Sequence, residues 1–275
     1  MRRDGSLDGR GAAGYAGDMR VFDFTHAIVR TPGQSVVRGL RTGAEAPDPA
    51  GVLAEHTAYA AALREAGLAV DVLPPLEDFP DSVFVEDPAF VVPEGAVLLR
   101  PGAPSRLGER DVLRGALERH FGAVREIADG YADGGDVLIA PETIYIGLSQ
   151  RTDAKGAAAL QAHLAALGRK SRIVATPPGV LHFKSASSLL DEETVLVTRA
   201  MQASGVFGGL RTLVVPDEGA ANSLRVNGCV FVGAQYRRTM DLLARDYRVV
   251  PLGVAQIARI DAGLSCMSLR WRSDR

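Results

Sequence analysis

The 275-residue chain has two cysteines, and one of them, Cys266, lies in Ile260-Asp-Ala-Gly-Leu-Ser-Cys-Met-Ser-Leu-Arg-Trp271. A thiol that belongs neither to a disulfide framework nor to a close pair is either packed filler or a nucleophile. His182 occurs in Val180-Leu-His-Phe-Lys-Ser185, and carboxylates occur in Phe79-Pro-Asp-Ser-Val-Phe-Val-Glu-Asp87 and Asp133-Gly-Gly-Asp136. A cysteine, a histidine and a carboxylate are the parts of covalent thiol catalysis. The thiolate attacks, the imidazole moves the proton, and the carboxylate orients and charges the imidazole. Each residue also has a plain structural use: Cys266 as a core thiol, His182 as a satisfied core histidine, Asp133 as support for the Gly134-Gly135 turn.

Residues so far apart act together only if the fold gathers them, and an internal repeat supplies the means. Four segments share one pattern of a polar residue, a strand, a tight turn and a second strand: Asp87–Arg100, Asp136–Gly147, Lys184–Thr198 and Asn222–Gly233. Asn227-Gly228 fills a type I′ turn without strain. Helices are expected after three of them, over 108–121, 153–167 and 236–244, from apolar spacings of three and four such as Leu160, Leu164 and Leu167. The helix after the third segment is not evident. Closing strands follow at Ser171–Ala175 and Tyr247–Pro251. The N-terminal part fits as a fifth unit with a long insertion: a strand at His26–Arg30, a helix over 49–66 and a strand at Leu68–Leu73.

Such spacing suggests a radial or stacked repeat, and a closed ring would remove exposed sheet edges. An ordinary mixed α/β sheet could use the same elements. In a ring, the polar residues that open the hairpins converge at one end of the channel. Glu86, Asp87, Asp133, His182 and Asn222 stand at or just before such strands, and Cys266 precedes the strand-like Met267–Trp271.

The formal net charge of −2 gives no reason to expect nucleic acid or an anionic membrane as partner. The cysteine usage suits a reducing compartment, and no apolar run approaches membrane-spanning length, so a cytoplasmic location is expected. Residues 1–19 lack the apolar core of a signal peptide and are expected to form a flexible tail, with Met19 an alternative start. Residues 20–275 are expected to form a single domain.

The motifs identify a family. His26-Ala-Ile-Val-Arg-Thr-Pro32, Phe79–Pro88, Arg100-Pro-Gly-Ala-Pro-Ser-Arg106, Asp133–Asp136, Gly147-Leu-Ser-Gln-Arg-Thr152, Leu181–Lys184 and Ile260–Arg270 occur in order. In these the chain resembles the dimethylarginine dimethylaminohydrolases of the guanidino-group-modifying superfamily. The resemblance runs from Asp23 to Trp271. It implies an α/β fold, a five-bladed propeller of pseudo-symmetric units, and hydrolysis of Nω-methylated arginines to L-citrulline and an alkylamine. It also implies Cys266 as nucleophile, His182 as acid/base and Asp133 as the carboxylate partner of His182, a position where some bacterial relatives carry glutamate.

For the substrate, the resemblance implies that Asp87 engages the guanidinium while Asp81 and Glu86 line the same pocket. Arg106 and Arg151 would bind the α-carboxylate. The carbonyls of Leu40, on a mobile lid, and Ile260 would receive the α-amino group, with Asp261 touching the substrate as well. A planar cation calls for carboxylate partners. No step needs a metal or an organic cofactor, and the sequence lacks the close Cys/His spacing of a zinc site.

Arginine deiminases and amidinotransferases, the rivals within the superfamily, carry an aspartate two residues after the histidine. Lys184 stands there in this chain, which favours methylated guanidines. A structural propeller protein, or a binding protein for arginine-like ligands, would not need the thiol set. Nothing in the sequence decides between a monomer and a homodimer.

Overall fold

The computed structural model describes residues 20–273. The expected tail over residues 1–19 lies outside them. The described chain begins with β1 (His26–Arg30), α1 (Pro49–Glu65) and β2 (Ala69–Leu73). Two long units follow: β3 (Ala89–Val92), β4 (Gly95–Leu98), α2 (Glu109–His120) and β5 (Val124–Glu126), then β6 (Val137–Ile139), β7 (Ile144–Leu148), α3 (Ala154–Ala166) and β8 (Ser171–Ala175). A third unit has β9 (Ser187–Leu189), β10 (Thr194–Val197), α4 (Arg199–Ala203) and β11 (Arg211–Val214). The fourth has β12 (Leu224–Val226), β13 (Cys229–Gly233), α5 (Arg237–Leu243) and β14 (Arg248–Leu252), and β15 (Leu269–Trp271) ends the series.

The strands form five three-stranded sheets, each with an antiparallel first pair and a parallel second pair. The fifth sheet is shared by the two ends of the described chain. β15 pairs antiparallel with β1, with Trp271 opposite His26 and Leu269 opposite Ile28, and β1 pairs parallel with β2. The N-terminal unit therefore has no inserted first strand of its own, because the last strand supplies it. The architecture is a five-bladed α/β propeller.

Side-chain alternation explains why the ring closes. In β3, Ala89 and Val91 enter the apolar cluster shared with β1 and β15, whereas Phe90 and Val92 enter the one shared with β6, β7 and α3. In β13, Cys229 and Phe231 face the cluster of α1, while Val230 and Val232 face that of β10. Five clusters thus alternate with five sheets, and each is filled from two neighbouring blades. Strands buried on both faces need continuous apolar runs such as Cys229-Val-Phe-Val, rather than polar alternation.

Capping sets the helices where they were expected. Asp48 caps α1, accepting from Ala50 N and Gly51 N, with Pro49 in the first turn. Asp153 caps α3 through Gly156 N at 2.7 Å. The third unit does contain a helix, the single turn and a half of α4, capped by Thr198 Oγ1 on Met201 N. One boundary differs from expectation. Ser265–Met267 is a 3-10 turn, and the final strand begins only at Leu269. Among the described residues no helix is long and apolar enough to cross a membrane.

Candidate active site

Short 3-10 turns precede the first strands of four blades: Gly134–Asp136, Phe183–Ser185, Glu218–Ala221 and Ser265–Met267. Polar side chains at these turns reach across to the next blade. Asp87 Oδ1 accepts from Gly135 N at 3.0 Å, Asp136 Oδ1 from Phe183 N at 2.8 Å, and Asn222 Oδ1 from Ser265 N at 3.0 Å. These links bring the hairpin openers to one end of the ring, as the repeat pattern predicted.

Asp133 and His182 are the residues immediately before two of these turns, both in extended backbone. His182 Nε2 lies 3.0 Å from Asp133 Oδ2, while Asp133 Oδ1 accepts from Gly102 N at 2.7 Å. Asp133 is fully buried. With Nε2–H donated to the carboxylate, Nδ1 is the nitrogen left for proton transfer. The glycines beside Asp133 allow close approach. A Cβ on Gly134 would fall 2.0 Å from Glu86 O, and one on Gly135 would fall 2.8 Å from His182 Cγ and Nδ1. They serve the packing of Glu86 and His182 rather than a bare turn.

Burial works against protonating His182, but the field of Asp87, the hydrogen bond to Asp133 and the charge of Asp136 outweigh it. Its pKa rises to about 9. Cys266 is buried, and burial together with the negative fields of Glu86 and Asp87 pushes its thiol up to about 11. Asn222 Nδ2 approaches Sγ at 3.7 Å. At neutral pH these shifts favour a thiol beside an imidazolium.

Both residues line a cavity of about 170 Å³. Leu40, Asp81, Asp87, Arg106, Arg151, Ile260 and Asp261 line it too, along with Arg41, Thr42, Phe84, Leu181 and Ala262, which sequence reasoning did not single out. Arg106 is buried, with Nη1 on Asp87, Nε and Nη2 on the Glu109 carboxylate at 3.0 and 2.7 Å, and Nη2 also donating to the Phe84 carbonyl at 2.8 Å. Burial raises the Asp87 carboxyl, but the Arg106 guanidinium and His182 reverse this and hold it below its ordinary range. For Asp81 burial prevails and its pKa is raised.

One expected substrate contact is placed differently. Glu86 does not join Asp87 in the cavity of the thiol. Its Oε1 lies 2.6 Å from Lys184 Nζ and 3.3 Å from Arg270 Nη2, and Oε2 accepts from Ser265 Oγ at 3.0 Å. A buried carboxylate needs compensating charge, and two cations supply it on the side of a neighbouring cavity that Glu86, Lys184, Ser265 and Arg270 line. Lys184, the residue standing where the rival families carry an aspartate, is thus paired with Glu86. Asp261 gives both carboxylate oxygens to Thr42.

Asp87, Asp133 and His182 bring one ligand atom each within 4.8 Å of one another, a spacing a cation could use. Asp87 already accepts from Gly135 N and Arg106, and Asp133 from Gly102 N and His182. The donor set suits a protonated imidazole among carboxylates better than a metal.

The family model of the eukaryotic N,N dimethylarginine dimethylhydrolases matches residues 45–171. A dimethylarginine dimethylaminohydrolase of Pseudomonas aeruginosa is 38% identical over 254 residues, covering 90% of this chain and all of that protein. One of Streptomyces coelicolor is 34% identical over 253 residues, covering 90% of this chain and 96% of its own length. The solved Pseudomonas aeruginosa enzyme, a cysteine-to-serine mutant complexed with citrulline, superposes with a TM-score of 0.88 at 37% identity, over 90% of this chain and all of that one. The N-terminal domain of a cyanobacterial arginine dihydrolase reaches a TM-score of 0.77 at 16% identity, over 91% of this chain and 99% of that domain, and shows the shared fold.

Proposed function

The chain belongs to the dimethylarginine dimethylaminohydrolase family, and we propose that it hydrolyses Nω-methylated arginines to L-citrulline and di- or monomethylamine through a covalent intermediate on Cys266. The observation that carries this reading is the arrangement of thiol, imidazolium and carboxylates around one cavity. Burial and the fields of Glu86 and Asp87 hold the Cys266 thiol protonated, and a bound guanidinium would neutralise the Asp87 part. A cationic substrate therefore favours the thiolate it is about to meet.

The steps follow from the charges. With the guanidinium against Asp87, the thiol gives its proton to solvent and the thiolate attacks the central guanidinium carbon. His182, already protonated with a pKa of about 9, gives its proton to the departing amine, which is a poor leaving group without it. A planar S-alkylthiouronium remains on Cys266. The neutral His182 then takes a proton from water, whose oxygen attacks the same carbon, and collapse, with the hydroxyl proton passing to the departing sulfur, releases citrulline and restores the thiol. Asp133 holds the imidazole in its tautomer throughout.

Arg151, half-buried on the cavity wall, would bind the α-carboxylate, with Arg106 beside it and also bracing Asp87. The carbonyls of Leu40 and Ile260 would take the α-amino group. Asp87 is the acid we assign to the guanidinium, with Glu86 acting on it through charge and on the Cys266 turn through Ser265. Residues 20–275 act as one catalytic domain, and the location is cytoplasmic.

A citrulline-release assay across arginine, monomethylarginine and the symmetric and asymmetric dimethylarginines tests the substrate. The highest kcat/KM is expected for asymmetric dimethylarginine or monomethylarginine. A kcat/KM for unmodified arginine equal to theirs would leave only a general guanidine-modifying enzyme.

A further inference from the structure

Asp261 lies between Ile260 and the turn that carries Cys266, and it was expected to touch the substrate. Its backbone is left-handed, with φ 52° and ψ 30°, and the only other such residue besides glycine, among those described, is Asn227 in its hairpin turn. A left-handed aspartate costs conformational energy that something must offset. The side chain shows what it serves. Oδ2 accepts from Thr42 N at 2.6 Å and Oδ1 from Thr42 Oγ1 at 3.0 Å, a two-point grip across 219 positions of sequence.

Thr42 lines the cavity together with Leu40 and Arg41. Two more ties join this segment to the strand-to-strand turn before Cys266. Arg259 reaches Glu45 at 3.2 Å and the Ala46 carbonyl at 3.3 Å, and Gln256 Oε1 accepts from Asp48 N at 2.8 Å. On the other side, Leu40 N donates to Asp81 Oδ1 at 2.9 Å. The Asp261 grip and the Leu40–Asp81 bond join residues that line the cavity of Cys266. Thr42 is exposed, so the grip is weak enough to break and reform in water.

We propose that Asp261 is a positioning residue, a latch that holds the Leu40–Thr42 segment closed over the Cys266 cavity, and that it does not bind substrate. This inference rests on reading the cavity as the methylarginine site. Opening for ligand exchange releases Thr42 from Asp261, and closure re-forms both bonds.

The test follows access to the thiol and needs no turnover. Iodoacetamide, a small neutral reagent, alkylates Cys266 at one fixed alkaline pH, and the rate is read by mass spectrometry of the Cys266 peptide. Asp261→Gly suits the left-handed backbone and removes the grip, so alkylation should accelerate about three- to tenfold, the range of one or two ordinary hydrogen bonds. Thr42→Val leaves the Asp261 turn untouched, loses one bond of the two and should give a smaller rise. The double variant should alkylate no faster than Asp261→Gly, since both changes break one contact. Asp261→Asn retains one acceptor for Thr42 N and one donor for Thr42 Oγ1, so it should keep most of the protection. A wild-type alkylation rate in Asp261→Gly, with a raised KM for dimethylarginine, would assign Asp261 to the substrate and overturn the latch. Multiplying effects in the double variant would overturn it too. Because the readout is alkylation, failure of the latch is distinguishable from failure of the substrate assignment.

Discussion

Replacing Asp133 by asparagine changes the shape of the site very little and its proton logic completely. Gly102 N must still donate to an oxygen, at the 2.7 Å contact now made by Oδ1. The new amide NH₂ then faces His182 Nε2, at the 3.0 Å now spanned by the carboxylate. Two donors cannot share that contact, so the ring must adopt the tautomer with hydrogen on Nδ1. The nitrogen needed for proton transfer loses its basic form, and general acid–base catalysis worth about 10²- to 10⁴-fold should be lost from kcat. The same change shows in stability. His182 rises from 6.5 to about 9 on folding, which corresponds to about 3 kcal/mol when fully expressed. A raised histidine pKa stabilises the fold below its unfolded value, and the contribution fades as pH climbs from about 6.5 through about 9. Asp133 is one of three carboxylates responsible, so Asp133→Asn should flatten this slope without abolishing it. The assays are citrulline release for kcat and chemical denaturation at pH steps across that window. A variant within threefold of wild-type kcat, or an unchanged pH slope, would refute the assigned role of Asp133.

Other expectations concern neighbouring groups. Alkylation of Cys266 by a neutral reagent should rise with pH toward a midpoint near 11, and a bound guanidinium ligand too short to react should bring that midpoint down. A free-enzyme midpoint at or below the ordinary thiol range would contradict the field described here. Arg151→Ala should raise KM more than it lowers kcat, whereas Arg106→Ala should also destabilise the protein by about 3–5 kcal/mol, because Asp87 and Glu109 would be left buried without their cation. Equal effects of the two changes on melting would show that Arg106 is no brace. His56 is buried with Nε2 unpartnered, and burial lowers its pKa to about 4. A depressed histidine pKa stabilises above 6.5 and loses that contribution as pH falls toward 4, so His56→Leu should unfold less readily than wild type near pH 4; greater acid sensitivity would count against it.

Much of this was legible in the sequence because the repeat tied local pattern to global position. The polar openers of the hairpins announced which residues would converge, and the ring brought Asp133 and His182 to a shared proton at sequence separation 49. The helix starts were readable from Asp48 and Asp153, which satisfy the free N–H groups they precede. What escaped was partner choice at buried charges. Glu86 and Asp87 are adjacent in sequence, yet one faces Lys184 and Arg270 while the other faces Arg106 and the thiol cavity. Sequence gives the identity of such groups but not which cation the packed blades bring closest. Thr42 and Arg41 went unnoticed for a related reason. Nothing local marks Thr42, whose partner Asp261 lies 219 positions away, and Arg41 lines the cavity while donating to the nearby carbonyls of Val37 and Gly39.

Covalent capture at Cys266 is tested most directly by acid-quenching the enzyme while it turns over asymmetric dimethylarginine and mapping adducts by mass spectrometry. The predicted result is a thiouronium adduct on the peptide containing Cys266, absent in Cys266→Ser, with turnover abolished by that change and largely kept in Cys229→Ser. An adduct on another residue, or sustained citrulline release by Cys266→Ser, would contradict the mechanism.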